Sequence, residues 1–138
     1  MKKLVRFGVS LDHHLLDDFD RLITRKNYTN RSEALRDLIR ANLVGQEWDE
    51  NKETVGTITF VYDHHVRDLT KTLTDIQHRY QRLILSGMHV HLDHDHCLEV
   101  LVVKGKGSEI KKVSDMLIGT KGVKHGKLTG TTTARGLS

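Results

Sequence analysis

Ten residues concentrate the chemistry of this chain. Met88-His89-Val90-His91-Leu92-Asp93-His94-Asp95-His96-Cys97 holds four of the ten histidines and the sole cysteine. Its first half reads as a strand, where side chains alternate between faces, so His89 and His91 project from the same one. Cys97 follows His91 after five residues, enough for a tight turn to bring a thiolate back to that face. Imidazole suits Ni(II), Cu(II) and Zn(II), and one thiolate softens such a site without building the cysteine-rich cage of a structural zinc centre. The pattern therefore points to a transition-metal site. His94 and His96 fall on the turn and are weaker candidates. The plain alternative is solvated hairpin histidines beside a cysteine packed as a small hydrophobe.

The elements that position these residues follow from periodicity. Thr54 to Tyr62 is β-branched and aromatic, the mark of a strand. A helical stripe of Val66, Leu69, Leu73, Ile76, Tyr80 and Leu83 predicts a helix over about 65–83. Ile84 to Leu92 and Cys97 to Lys104 form a hairpin, Ser108 to Ile118 a second helix begun by Ser108, and Gly122 to Thr131 a last strand. This βαββαβ order is the ferredoxin-like arrangement, two helices on one face of an antiparallel sheet, with the other face needing a partner to cover it. Residues 54–131 make up that domain, and 132–138 read as a frayed tail.

A different pattern precedes it. Val5, Phe7, Val9 and Leu11 alternate with Arg6, Gly8 and Ser10, predicting one strand with an apolar and a polar face. Asp12 caps a helix carrying Leu15, Leu16, Phe19, Leu22 and Ile23. Asn30 and Glu33 resemble a capping box opening a second helix with Ala34, Leu35, Leu38, Ile39 and Leu43 inside. A unit of residues 1–46 with one unpaired strand has too small a core to stand alone, and an intertwined dimer pairing the two strands solves this. Such a ribbon fits the major groove of B-DNA, with Arg6, Gly8 and Ser10 presented twice. Over these residues nine basic side chains face six acidic ones. The free amides at Asn30-Arg31-Ser32 could hold a phosphate. Residues 47–53 read as a polar linker with Trp48 as an anchor.

Composition narrows the class. With 138 residues and 37% hydrophobic content, the chain can bury one modest core or two small ones. No apolar run is long enough to span a bilayer, and the N-terminus is unlike a signal peptide. One cysteine forbids an intrachain disulfide and fits a reducing cytoplasm. The net charge of +4 permits a polyanionic partner. An enzyme is disfavoured: no nucleophile–base pair appears, and Gly105-Lys106-Gly107-Ser108 lacks the order of a phosphate loop.

With these residues in hand, the chain resembles the nickel-responsive transcriptional regulators, in which a ribbon-helix-helix dimer is fused to a ferredoxin-like, ACT-type metal domain. The matching stretches run from Arg6-Phe7-Gly8-Val9-Ser10-Leu11 and Tyr28-Thr29-Asn30-Arg31-Ser32-Glu33 through Gly56-Thr57-Ile58-Thr59-Phe60-Val61-Tyr62, Gln77-His78 and His89-Val90-His91 to Cys97-Leu98-Glu99-Val100 and Lys121-Gly122-Val123-Lys124-His125-Gly126. The resemblance implies one Ni(II) per subunit, held by His89, His91 and Cys97 with His78 from a neighbouring subunit. It also implies a homotetramer and operator binding to double-stranded DNA through Arg6, Gly8 and Ser10, with repression of nickel uptake as the expected role. Tyr62, His64 and Glu99 would orient the ligands, and Glu33 and Asp37 would form an auxiliary cation site or pair with Arg36 and Arg40. The chain departs from the family at Gly8, where relatives carry Ser or Thr, and at Arg79 and Tyr80, which replace an auxiliary histidine cluster. His125 reads as a residue of the sheet; His13, His14 and His65 read as surface residues. The rival readings are a Cu(II)- or Zn(II)-sensing regulator and a metal-independent, antitoxin-like interaction module.

Overall fold

The computed structural model describes residues 3–138, which divide into two compact units at Ala41/Asn42. The fold is mixed α+β: four helices and one four-stranded antiparallel sheet.

In the first unit, α1 (His13–Arg25) begins where the Asp12 carboxylate accepts a 2.7 Å hydrogen bond from the amide of His14. It ends in a left-handed turn at Asn27, φ 62°, where the amides of Asn27 and Tyr28 return to the carbonyls of Thr24 and Ile23. Asn30 opens α2 (Arg31–Asp49) by accepting from the amide of Glu33 at 2.9 Å. The reciprocal half of the expected capping box is missing, because the Glu33 carboxylate accepts instead from Thr29 Oγ1. A bidentate Arg31–Asp20 pair at 2.8 and 2.9 Å ties the helices together.

Two expectations for this unit concern surfaces that a second chain would cover. The predicted strand over Val5 to Leu11 is not formed in the single chain; Leu4, Val5, Phe7 and Val9 are all more than half exposed. A strand exists only by hydrogen bonding to another, and the described chain offers it none. Leu38, Ile39 and, just beyond this unit, Leu43, expected inside, are exposed as well, and Ile23 and Ala34 are the buried hydrophobics among the unit's described residues. Two helices of this size cannot enclose a core between them.

The expected linker is also partly helix. Helix α2 runs on through Trp48 to Asp49, supported by a Gln46–Glu50 hydrogen bond one turn apart. It stops at Asn51, φ 57°, in the same kind of left-handed turn as α1, with the amides of Asn51 and Lys52 returning to Trp48 and Glu47. Asn51 Oδ1 then accepts from the amide of Ser108 at 2.8 Å, so the second predicted helix of this domain is capped from outside rather than by Ser108. Trp48 is the anchor its type suggested: its Nε1 donates to the carbonyl of Thr131 at 2.9 Å and its ring lies close over Gly107 and over Gly130, where a Cβ would collide with it. The predicted tail is held too, Thr132 Oγ1 donating to the Glu47 carboxylate at 2.9 Å.

The second unit contains β1 (Glu53–Asp63), α3 (Leu69–Arg79), β2 (Ile84–His91), β3 (His96–Lys106), α4 (Gly107–Ile118) and β4 (Val123–Gly130), with sheet order β2-β3-β1-β4. Strand β1 alternates strictly between a fully and a partly buried face. Ile58, Phe60 and Tyr62 point to the buried side, where Leu101 and Val103 of β3 join Leu69, Leu73 and Ile76 of α3 and Ile110, Val113 and Leu117 of α4 in one core. Helix α3 is shorter than the predicted 65–83. Asp68 adopts the left-handed conformation at φ 61°, which an α-helix cannot contain, and Tyr80 to Arg82 form turns leading into β2.

The opposite face of the sheet carries Val55, Val61, Leu98 and Val100, partly buried, with Met88 and Val90 exposed at 65% and 38%. Toward β4 the same face carries Thr57, Thr59, His125 and Lys127.

Candidate metal centre

Strand register builds the site. Cys97 lies opposite His91 on one side and Tyr62 on the other, and Glu99 lies opposite His89. Residues two apart on a strand share a face, so His89, His91, Cys97 and Glu99 all point to the helix side of the sheet. Cys97 is fully buried, and its Sγ lies 3.4 Å from Nδ1 of His91. Burial pushes the thiol pKa above its usual value, and the carboxylates of Glu99, Asp93 and Asp63 push it the same way. The thiol thus keeps its proton until a cation displaces it.

The Glu99 carboxylate organises the rest. It accepts from Tyr62 Oη at 2.6 Å and from Gln77 Nε2 of α3 at 2.9 Å, and its Oε1 lies 3.4 Å from Nδ1 of His89. With the Glu99 carboxylate facing Nδ1, Nε2 is the His89 nitrogen left toward a metal. Tyr62 is held neutral, its pKa raised by burial and then by Glu99. It therefore remains a hydrogen-bond donor at any ordinary pH.

His64 stands closer to the centre than an orienting role requires. One nitrogen of His64, one of His91 and the Cys97 sulfur lie within 4.8 Å of one another, a set that could hold a metal ion. His64 Nε2 is 2.7 Å from the carbonyl of His94 and donates to it, which leaves Nδ1 for a metal. His89 is outside that set, turned toward Glu99, although its ring centroid is only 5.2 Å from that of His91. Imidazoles and a thiolate on this face fit a borderline divalent cation.

The other candidates are placed as follows. His78 sits exposed on the last turn of α3 and joins no cluster of its own chain among the described residues. Arg6, Gly8 and Ser10 are exposed in the unpaired N-terminal segment, and the space around Gly8 would admit a side chain. The carboxylates of Glu33 and Asp37 are engaged by Thr29 and by Tyr28 and Arg40, respectively. His125 lies in β4, opposite Val61. Gln77 escaped the sequence reading as a ligand-orienting residue: its bond to Glu99 spans two elements and has no local signal. So did a second group, His65, His94 and Asp95, whose ligand atoms also lie within 4.8 Å of one another.

Fold and site together define an α+β metal-binding protein whose donors converge on one sheet face. Comparison with known proteins makes this specific. Residues 55–131 match the NikR C terminal nickel binding domain. The chain is 59% identical to a protein of Geobacter sp. strain M21 and 60% identical to one of Geobacter metallireducens, each over 99% of both chains and each named a nickel-responsive regulator. A protein of Caldanaerobacter subterraneus with the same name is 54% identical over 99% of this chain and 90% of its own. An uncharacterized protein of Thermotoga maritima, 17% identical, shares the fold over 59% of this chain and all of its own with a TM-score of 0.53. The chain belongs to the nickel-responsive regulator family. That family is regulatory rather than enzymatic, which sets aside catalysis, and its nickel binding domain sets aside the metal-independent module. No helix among the described residues is long and apolar enough to cross a membrane.

Proposed function

We propose that the chain is a Ni(II)-dependent repressor that binds a palindromic operator in double-stranded DNA as a homotetramer. His89, His91 and Cys97 of one subunit, with His78 of a neighbour, would hold one Ni(II) per subunit; when bound, the cation supplies a cross-link between subunits. The observation that carries this reading is the hub at Glu99, which faces Nδ1 of His89 and anchors α3, the helix bearing His78, to the same carboxylate. The exposed position of His78 supports its donation to a neighbour, and the exposed Met88 and Val90 of the opposite sheet face support further contact between subunits. Exposed Val5, Phe7 and Val9 support pairing of the N-terminal segments into a ribbon, which would turn Arg6 and Ser10 to the major groove. Metal then favours DNA binding only to the extent that it is held more tightly in the DNA-competent arrangement.

A second reading, Zn(II) or Cu(II) as the working ion, draws support from His64, which completes a three-donor set within one subunit. Regulation of nickel uptake genes and residence in the cytoplasm belong to this proposal. The test is selection of duplexes from a random pool by the purified protein with Ni(II), followed by binding measurements with and without each metal. Recovery of a palindrome bound at least tenfold more tightly with Ni(II) than with Zn(II) or chelator is expected. Equal binding in all conditions would overturn the reading.

A further inference from the structure

The geometry points to a second divalent-cation site, outside the buried centre, formed by His65, His94 and Asp95. Its three residues come from two loops, the β1–α3 connection and the β2–β3 turn. Asp95 Oδ1 lies 3.3 Å from His65 Nε2 and 3.1 Å from His94 Nδ1, and the two rings are 5.4 Å apart. The His94–Asp95 separation is within hydrogen-bond reach and the His65–Asp95 separation is an ion-pair contact. They match the edge of a coordination polyhedron built on metal–ligand distances of about 2.0–2.2 Å.

The frame that holds the donors is made independently of them. The amide of His64 donates to the carbonyl of Asp95 at 3.1 Å and the His64 ring donates to the carbonyl of His94, so the two loops are joined before any ion arrives. Asp63 accepts from the amide of His65 at 2.8 Å. On the hairpin, Asp93 accepts from the amides of Asp95 and His96 and faces the His96 ring, which commits Asp93 and His96 to the turn itself. Asp95 is the carboxylate of that turn aimed at imidazoles of both loops.

Two imidazoles and a carboxylate suit Zn(II), Ni(II) or Co(II), and all three residues are exposed, leaving water to fill the remaining positions. With three donors and no thiolate, the site binds more weakly than the buried centre and exchanges ions readily.

Ni(II) itself is the probe. Equilibrium dialysis should give two Ni(II) per chain for the unaltered protein, while the thiolate-to-nickel absorption saturates at one. In the His65→Ala/His94→Ala protein, bound Ni(II) should fall to one per chain with the thiolate band intact. Both side chains are exposed, and the main-chain bonds joining the loops survive the change. Cys97→Ala separates this site from the family reading: it should retain one Ni(II) per chain without the band, and lose it when His65→Ala and His94→Ala are added. No more than one Ni(II) per chain in the unaltered protein, or a second ion that persists in His65→Ala/His94→Ala, would overturn the proposal.

Discussion

The two units of this chain solve the burial problem in opposite ways. The sheet domain encloses Ile58, Phe60, Leu73, Val103, Ile110 and Leu117 within a single chain, each 3% exposed or less. The N-terminal unit buries two residues and leaves Phe7, Leu15 and Ile39 half exposed or more. The first encloses a core within the single chain while leaving Met88 and Val90 of its open sheet face exposed; the second encloses almost none. The contrast places independent stability in the unit with the metal donors and dependence on a partner in the unit with the proposed DNA-facing residues.

The comparison breaks most completely at the N-terminal segment. Phe7→Asp with Val9→Asp should abolish ribbon pairing and specific DNA binding while leaving the thermal transition of the sheet domain in place. Sedimentation and duplex binding measure both, and a variant that still binds its duplex would refute pairing through this segment.

Phe60→Ala should destabilise the sheet domain by about 3–5 kcal/mol, read by chemical denaturation. Ile39→Ala, at an exposed position of the single chain, should cost about 2 kcal/mol or more if a second chain covers it. That cost should appear as a concentration-dependent loss of dimer, and a negligible effect at every concentration would mean Ile39 faces water. Tyr62→Phe sharpens the picture at the metal centre. Loss of its bond to Glu99 should lower Ni(II) affinity by about tenfold or more with little change in fold, which metal competition and circular dichroism would report.

The smallest effect concerns acid. Hydrogen bonding from Arg31 holds the Asp20 carboxyl below its ordinary value of 3.8. A depressed folded pKa contributes stability that is complete above the unfolded value and lost as pH falls through the folded one. The pair is exposed, so solvent screens it. Thermal melts should therefore show Arg31→Ala slightly less stable than the parent near pH 6, with the difference shrinking as pH falls below the ordinary carboxyl value of 3.8.

Legibility followed the range of the interactions. Strict alternation in β1 and the apolar stripe of α4 are local, and both elements lie within a residue or two of where periodicity puts them. His89, His91 and Cys97 could be placed on one face because strand spacing and a short turn suffice. The end of α2 was misplaced because polar Gln46, Glu47 and Glu50 read as loop, whereas Asn51 in a left-handed turn is the actual stop. His64 and the His65–His94–Asp95 group depend on the β1–α3 connection meeting the hairpin turn about thirty residues away, and Gln77 depends on α3 meeting Glu99 of β3. Nothing local marks it. The predicted N-terminal strand requires a second copy, which periodicity can suggest but a single chain cannot form.

The most direct test of the central claim is a Ni(II) titration of reduced protein followed by absorption, with His78→Ala and Cys97→Ala measured singly and after refolding as a mixture. The account predicts a thiolate–nickel band saturating at one ion per chain, lost in each variant and partly regained in the mixture, where subunits retaining Cys97 meet neighbours retaining His78. A band undiminished by His78→Ala, or no recovery in the mixture, would contradict a site shared between subunits.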